Sequence, residues 1–214
     1  MSCMVKICGI NSEDALIAAM SAGADALGYV FFPPSPRHIS LKGATTLTKQ
    51  VPNSILKVGL FVEAGDEALQ TAIEAGNLDV IQLHGKESPE RVTEVKQRFG
   101  LKVMKAISVS TADDIDKAQS DYDGIADFLL FDAKPPKDSV LPGGNAVSFD
   151  WALLTGRHFK SDWMLAVGLN PDNVSEAIKI SGAPWADVSS GVEKTKGVKD
   201  ARKIADFIHA AKGY

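Results

Sequence analysis

Short apolar runs and amphipathic segments alternate along the whole chain. Eight of the runs are mostly apolar on both faces, and they predict strands at residues 5–8, 26–31, 56–61, 80–83, 103–107, 128–131, 164–167 and 186–189. Continuously apolar strands are typical of a parallel sheet that is covered on both sides. The pattern therefore indicates an α/β protein with a buried parallel sheet.

The segments between these runs carry the signals of helices. Ser88 and Pro89 provide an N-cap followed by proline at the first helical position, and Gly100 ends that segment. The signals are weaker at residues 41–50, where Gly43 interrupts the pattern, and in the short segment 149–154. Signals like those between Ser88 and Gly100 predict further helices at residues 11–23, 66–76, 111–119, 170–182 and 198–211.

Strands that alternate with helices form βαβ units. Eight such units in 214 residues predict a closed (β/α)8 TIM barrel, a single domain covering residues 1–214. A doubly wound open sheet is the alternative architecture. No G-x-G-x-x-G motif follows the first strand, which counts against a dinucleotide-binding fold of that kind.

Composition and charge argue against several classes of function. A net charge of -4 leaves no electrostatic footprint for DNA or RNA. No apolar run approaches ~18 residues and the N-terminus lacks a signal-peptide pattern, so we expect a cytoplasmic protein without a membrane partner. Cys3 and Cys8 are separated by roughly 16 Å of extended chain, too far for a disulfide. The sequence has no cluster of His or Cys, and we expect no metal site.

A cysteine stands at the end of the first predicted strand. Active sites of (β/α)8 barrels lie at the carboxyl ends of the strands, which is where Cys8 falls. Lys6 and Cys8 share a face because side chains alternate along a strand. A nearby cation lowers the pKa of a thiol and favours the reactive thiolate. The alternative is a buried apolar cysteine without chemistry.

Three other predicted strands lead into polar side chains. A proline-rich loop after the second strand contains Arg37, a residue type suited to bidentate capture of a carboxylate. Gln82 and His84 share a face at the end of the fourth strand. Asp132 follows four apolar residues, and desolvation there would raise its pKa and suit it to acid catalysis. Each also has an interpretation without chemistry: Arg37 as a solvated surface arginine, His84 as a structural hydrogen-bonding residue and Asp132 as a capping or loop aspartate.

The loops after the last two predicted strands are rich in small residues. Gly168 follows the seventh strand, and Ser189, Ser190 and Gly191 follow the eighth. Small residues let backbone N–H groups approach an anion, and barrels often bind phosphate at these two loops. Tight-turn geometry alone would also explain the pattern.

Together these segments resemble the phosphoribosylanthranilate isomerase family of tryptophan biosynthesis. The motifs span the whole chain in order at strand ends, and their joint occurrence is highly specific. The matching motifs are Lys6-Ile7-Cys8-Gly9, Ser35-Pro36-Arg37, Gln82-Leu83-His84-Gly85, Leu130-Phe131-Asp132, Gly143-Gly144 with Phe149-Asp150-Trp151, Gly168-Leu169-Asn170-Pro171-Asp172-Asn173, Asp187-Val188-Ser189-Ser190-Gly191-Val192-Glu193 and Gly197-Val198-Lys199-Asp200.

The resemblance implies a (β/α)8 barrel that needs no cofactor and acts on a small phosphoribosyl substrate. The implied reaction is the Amadori rearrangement of N-(5-phospho-β-D-ribosyl)anthranilate to 1-(2-carboxyphenylamino)-1-deoxyribulose 5-phosphate. By the same resemblance Asp132 is the general acid, Cys8 is the general base and Arg37 holds the anthranilate carboxylate. The remaining substrate contacts it implies are Gln82, His84, Gly144, Gly168, Asp187, Ser189, Ser190 and Gly191.

The chain departs from the family pattern near the implied phosphate site. The usual Gly-Gly-Thr-Gly is Gly143-Gly144-Asn145-Ala146 here, and Val167 replaces the first of two paired glycines. Two alternatives remain open: another phosphosugar barrel, such as the related histidine-pathway isomerase, and a non-catalytic phosphate-ligand sensor. The first would be expected to use an aspartate as base and the second needs neither Cys8 nor Asp132. The sequence is compatible with a monomer or a homodimer.

Overall fold

The computed structural model describes residues 3–134, 150–166 and 168–213. Eight parallel strands follow one another around a closed barrel, and β8 pairs with β1 to complete it. This closure confirms the predicted TIM barrel and rules out the open sheet. The strands are β1 (Met4–Cys8), β2 (Ala26–Val30), β3 (Leu56–Phe61), β4 (Val80–Leu83), β5 (Lys102–Val109), β6 (Phe128–Ala133), β7 (Asp162–Leu165) and β8 (Trp185–Val188).

Seven α-helices surround the barrel in the described residues. The segment at residues 41–50 forms a helix despite Gly43, whereas the segment near residue 151 forms a short 3-10 turn, Trp151–Leu154. The helices are α1 (Glu13–Ser21), α2 (Leu41–Thr48), α3 (Asp66–Gly76), α4 (Pro89–Phe99), α5 (Ala112–Tyr122), α6 (Val174–Ser181) and α7 (Ala201–Lys212).

The caps predicted from sequence set both ends of α4, whereas the helix predicted from residue 170 begins only at Val174. The Ser88 hydroxyl accepts a hydrogen bond from the Arg91 backbone N–H, and Gly100 ends α4 in the left-handed conformation with φ 64°. The predicted last helix begins three residues late, at Ala201. Asp200 caps it, because its carboxylate accepts backbone hydrogen bonds from the first turn of the helix.

A small antiparallel ribbon follows the barrel and was not predicted. It consists of β9 (Glu193–Thr195) and β10 (Val198–Lys199). Gly197 turns the ribbon with φ 83°, and a Cβ atom there would lie 2.5 Å from the Pro36 carbonyl oxygen. The ribbon therefore packs directly on the loop after β2.

The barrel interior changes from apolar to polar toward the carboxyl ends of the strands. One buried apolar cluster fills its lower part; its members are Ala26, Val58, Val80, Met104, Ala106, Phe128, Leu130, Met164 and Trp185. Gln82 and Asp187 lie two residues beyond Val80 and Trp185 on their strands and so face the same interior. Polar groups are thus buried directly beneath the rim where the strands end.

Candidate active site

Cys8 ends β1 inside the barrel and is almost completely buried, with 4% of its surface exposed. Its neighbour on β2 is Gly28, and a Cβ atom at that position would lie 2.8 Å from the Cys8 Sγ. Val30 and Leu60 pack against the thiol from β2 and β3. The thiol therefore occupies a closely fitted space at the rim. The sequence predicted its place at the end of the first strand but not the fit against Gly28.

A buried ion pair lies behind the thiol. Lys6 Nζ donates a hydrogen bond to Asp187 Oδ1 across 2.7 Å, and Lys6 has no exposed surface. Burial raises the pKa of the Cys8 thiol, and the charge of Lys6 lowers it by less. The expected lowering of the pKa by Lys6 is thus present, but burial outweighs it, and the negative charge of Asp187 raises the pKa further.

Asp132 lies near the end of β6 and is also buried, with 8% of its surface exposed. Its Oδ1 accepts a hydrogen bond from the Ala133 backbone N–H at 2.8 Å. Its Oδ2 lies 3.5 Å from Nε2 of His84, which follows the end of β4. One carboxyl oxygen is therefore held by the backbone, and the other faces an imidazole.

Gln82 lies behind His84. Its Nε2 is 2.9 Å from His84 Nδ1, so that with the amide in this orientation Nδ1 is the acceptor and Nε2 carries the proton that points toward Asp132. Gln82 itself has no exposed surface. It contacts the rim through His84, and the direct substrate contact implied by the resemblance stays a prediction.

Arg37 is already paired with a carboxylate of the protein. Its Nε and Nη2 donate to the two carboxylate oxygens of Glu193 at 2.7 and 3.1 Å, and both side chains are buried. The sequence predicted that this guanidinium would hold a carboxylate but did not find Glu193. A contact between Arg37 and the carboxylate of a substrate stays a prediction.

Lys199 links the loop after β8 to this pair. Its Nζ donates to the Ser189 carbonyl oxygen at 2.8 Å, to the Ser189 Oγ at 3.3 Å and to Glu193 Oε1 at 3.1 Å. The Ser189 hydroxyl donates in turn to the Cys8 carbonyl oxygen at 3.1 Å. Sequence reasoning missed Lys199, although it lies within one of the family motifs.

The structure brings the loops after β7 and β8 together. A Cβ atom on Gly191 would lie 1.9 Å from the Leu169 carbonyl oxygen, so the two loops touch at this glycine. Ser190 and Gly191 form a short 3-10 turn, and Gly168 is left-handed with φ 55°. Gly144, Asn145, Ala146 and Val167 lie outside the described residues.

The described residues contain neither a membrane-spanning helix nor a metal-binding cluster. No helix in the described ranges is long and apolar enough to cross a membrane. In the same part of the chain, no group of three or more His, Cys, Asp or Glu side chains is placed to hold a metal ion.

Comparison with known proteins decides the family. A family-wide sequence model described as N-(5'phosphoribosyl)anthranilate (PRA) isomerase matches residues 5–210. The chain belongs to the PRA isomerase family. A relative of that name from Paramagnetospirillum magneticum is 56% identical over 98% of this chain and 97% of its own length. Another from Paracoccus denitrificans is 54% identical over 99% of this chain and 98% of its own.

Solved PRA isomerases share the whole fold. The enzyme from Thermotoga maritima superposes with a TM-score of 0.89 at 36% identity, covering 99% of this chain and 100% of that one. A PRA isomerase in complex with reduced 1-(o-carboxyphenylamino)-1-deoxyribulose 5-phosphate has a TM-score of 0.84 at 34% identity, with the same coverage. The resemblance drawn from the motifs is confirmed, and the chain is an aldose–ketose isomerase of tryptophan biosynthesis.

Proposed function

We propose that this PRA isomerase converts N-(5'-phosphoribosyl)anthranilate to 1-(2-carboxyphenylamino)-1-deoxyribulose 5-phosphate with Asp132 as general acid and Cys8 as general base. One observation carries the assignment of roles. A buried thiol and a buried carboxyl group end β1 and β6 of one closed barrel, on the rim where barrel enzymes perform their chemistry.

Asp132 begins the reaction by opening the furanose ring. Its proton passes to the ring oxygen, the bond between C1 and that oxygen breaks, and the nitrogen lone pair forms a C1 iminium. Oδ1 is held by the Ala133 N–H, so Oδ2 is the oxygen that carries the proton. The carboxylate left behind lies 3.5 Å from His84 Nε2, and in the tautomer that carries a proton on Nε2 the imidazole stabilises the new charge.

Cys8 then removes the proton on C2. The electrons of that C–H bond form a C1–C2 double bond and neutralise the iminium, which gives an enolamine. The enolamine becomes the ketone when C1 gains a proton and the C2 hydroxyl loses one. Lys6 and Lys199 both lower the pKa of Cys8 against the effect of burial, and so favour the thiolate that this step needs.

The substrate carries two anionic groups, and the protein offers two places for them. Backbone N–H groups in the touching loops at Gly168 and Gly191 are suited to the phosphate, which then needs no excess of cations on a chain of net charge -4. The carboxylate is assigned to the side of the rim that holds Arg37. Asp187 on β8, and Ser189 and Ser190 in the loop that follows it, are proposed as further contacts.

Location and assembly remain predictions. We infer a cytoplasmic enzyme that acts without nucleic acid, as a monomer or a homodimer. A Thermotoga maritima relative is described as dimeric. Light scattering on the purified chain measures whether it is a monomer or a homodimer.

A direct assay tests the proposed function. Phosphoribosylanthranilate is generated in situ from anthranilate and phosphoribosyl pyrophosphate with a separate transferase, and its fluorescence is followed after the chain is added. We expect rapid loss of fluorescence and a product of unchanged mass that borohydride reduces at one ketone. Fluorescence that decays only at the spontaneous rate overturns the proposal.

A further inference from the structure

We propose that Lys199 is a positioning residue of this active site, which holds the loop after β8 against the end of β1 and thereby sets both the place and the charge state of Cys8. The inference rests on the proposed function, because it takes Cys8 as the base. Lys199 lies on β10, outside the barrel strands, and no substrate contact is assigned to it.

The hydrogen bonds of Lys199 form a continuous path to the thiol residue. Its side chain is 1% exposed, and its ammonium group donates to three acceptors: two on Ser189 and one on Glu193. An ammonium group has three protons, so all of its donors are used. Ser189 continues this path, because its hydroxyl donates a hydrogen bond to the Cys8 carbonyl oxygen.

The local charges leave one cation in excess. Arg37 and Lys199 both pair with the single carboxylate of Glu193. Burial lowers the pKa of Lys199, and Glu193 opposes that effect. Burial also raises the pKa of Glu193, but Arg37 and Lys199 bring it below its ordinary range, so the carboxylate is ionised. A net positive charge is therefore buried behind the loop that touches Cys8.

Lys199 differs in this respect from the other cation near the thiol. The charged groups that act on Cys8 are Lys6 on its own strand, Asp187 on β8 and Lys199 on β10. On the side of β2 and β3 the thiol lies beside Gly28 and in an apolar cluster with Val30 and Leu60, against which Phe32 and Val62 pack. Asp187 neutralises Lys6 at 2.7 Å and itself raises the pKa of Cys8. Lys199 instead shares the carboxylate of Glu193 with Arg37, so its positive charge is only partly compensated.

Replacing Lys199 separates this role from simple support of the ribbon. Lys199→Met removes the charge and the donors, and Lys199→Arg keeps the charge. Lys194→Met is the matched control, because Lys194 is an exposed lysine on the neighbouring strand β9. All variants carry Cys3→Ser, so that Cys8 is the one thiol present.

The test has two readouts, the dependence of kcat/KM on pH and the dependence of the Cys8 alkylation rate by iodoacetamide on pH. We expect Lys199→Met to lower kcat by up to about 10²-fold through misplacement of the base. We also expect the rising limb of both profiles to move to higher pH, and Lys199→Arg to return both limbs toward those of the parent. Lys194→Met should match the parent in every respect.

The outcomes distinguish the inference from the proposed function. A loss of kcat in Lys199→Met with both limbs unmoved would show simple support and overturn the inference. Lys199→Gln, which keeps a donor for Ser189, applies the same criterion if the methionine variant fails to fold. A parent enzyme that leaves the substrate unchanged refutes the proposed function, and the alkylation profiles still decide the effect of Lys199 on Cys8.

Discussion

Cys8 and Gly28 are paired in neighbouring strands, and the thiol occupies the space that a side chain on Gly28 would need. A Cβ atom there would lie 2.8 Å from the Cys8 Sγ and 3.0 Å from its Cα. One of these neighbours is backbone, so rotation of the thiol alone does not relieve the contact. The glycine is therefore part of how the barrel places its base.

We expect Gly28→Ala to lower kcat by about 10-fold or more, because a base displaced by a fraction of an ångström loses its alignment with the C2 proton. Overpacking should also destabilise the fold by about 1–3 kcal/mol. Steady-state kinetics and urea unfolding measure the two effects. Gly65→Ala is the control, since a Cβ atom at Gly65 meets nothing within 4 Å. Unchanged kcat in Gly28→Ala would mean that the fitted contact has no role in placing the thiol.

Replacement of the acid should stop ring opening. Asp132→Asn keeps the size of the side chain but removes the transferable proton, so we expect kcat to fall by about 10²–10⁴-fold. The limb of the pH profile that reports this group should disappear with it. Retention of both rate and profile would assign the acid to another residue.

The loops at the proposed phosphate site allow a sharp test at one glycine. A Cβ atom on Gly191 would lie 1.9 Å from the Leu169 carbonyl oxygen, so even alanine must push the two loops apart. We expect Gly191→Ala to raise the KM for substrate and the inhibition constant of inorganic phosphate together, by about 10-fold or more. An unchanged phosphate inhibition constant would place the phosphate elsewhere. A charged residue at position 191 is a poorer test, because the effect of its charge cannot be separated from the displacement of the loop that any side chain causes.

The Arg37–Glu193 pair should make folding sensitive to acid. The pKa of Glu193 is lowered from 4.5 in the folded protein, as the contacts from Arg37 and Lys199 outweigh its burial. Its contribution to the free energy of unfolding is therefore complete above pH 4.5 and is lost as pH falls through the folded-state pKa.

Glu193→Gln should lower stability near pH 7 by about 3 kcal/mol, since it leaves two buried cations without a charged partner. The difference in the free energy of unfolding between the variant and the parent should shrink as the pH falls through the folded-state pKa of Glu193. Urea unfolding across the acid range measures it. A difference that stays constant down to the lowest pH would contradict the assignment.

The part of the site that lies on the strands could be predicted from the sequence. Apolar runs identify the strands, and the carboxyl end of each strand in a barrel is a fixed place, so Cys8, His84 and Asp132 could be expected at one rim. The alternation of side chains along a strand was enough to put Lys6 behind the thiol.

The interactions that hold the site together could not be predicted in the same way. Arg37 and Glu193 are 156 residues apart in sequence, and nothing in their own neighbourhoods indicates that they pair. The ribbon that carries Lys199 is too short to leave a periodic pattern, and the sequence predicts residues 198–199 as the start of the last helix. The pKa of Cys8 depends on a balance of burial against charge, which spacing along a strand does not reveal.

The rate of substrate conversion by Cys8→Ser tests the central claim most directly. The serine hydroxyl conserves shape but is a far weaker base than a thiolate, so we predict a fall in kcat of about 10²-fold or more with little change in substrate binding. Cys3→Ser, which replaces the other free cysteine of the described chain, should have the parent rate. A Cys8→Ser enzyme that converts phosphoribosylanthranilate at the parent rate, with chemistry rate-limiting, would contradict the account.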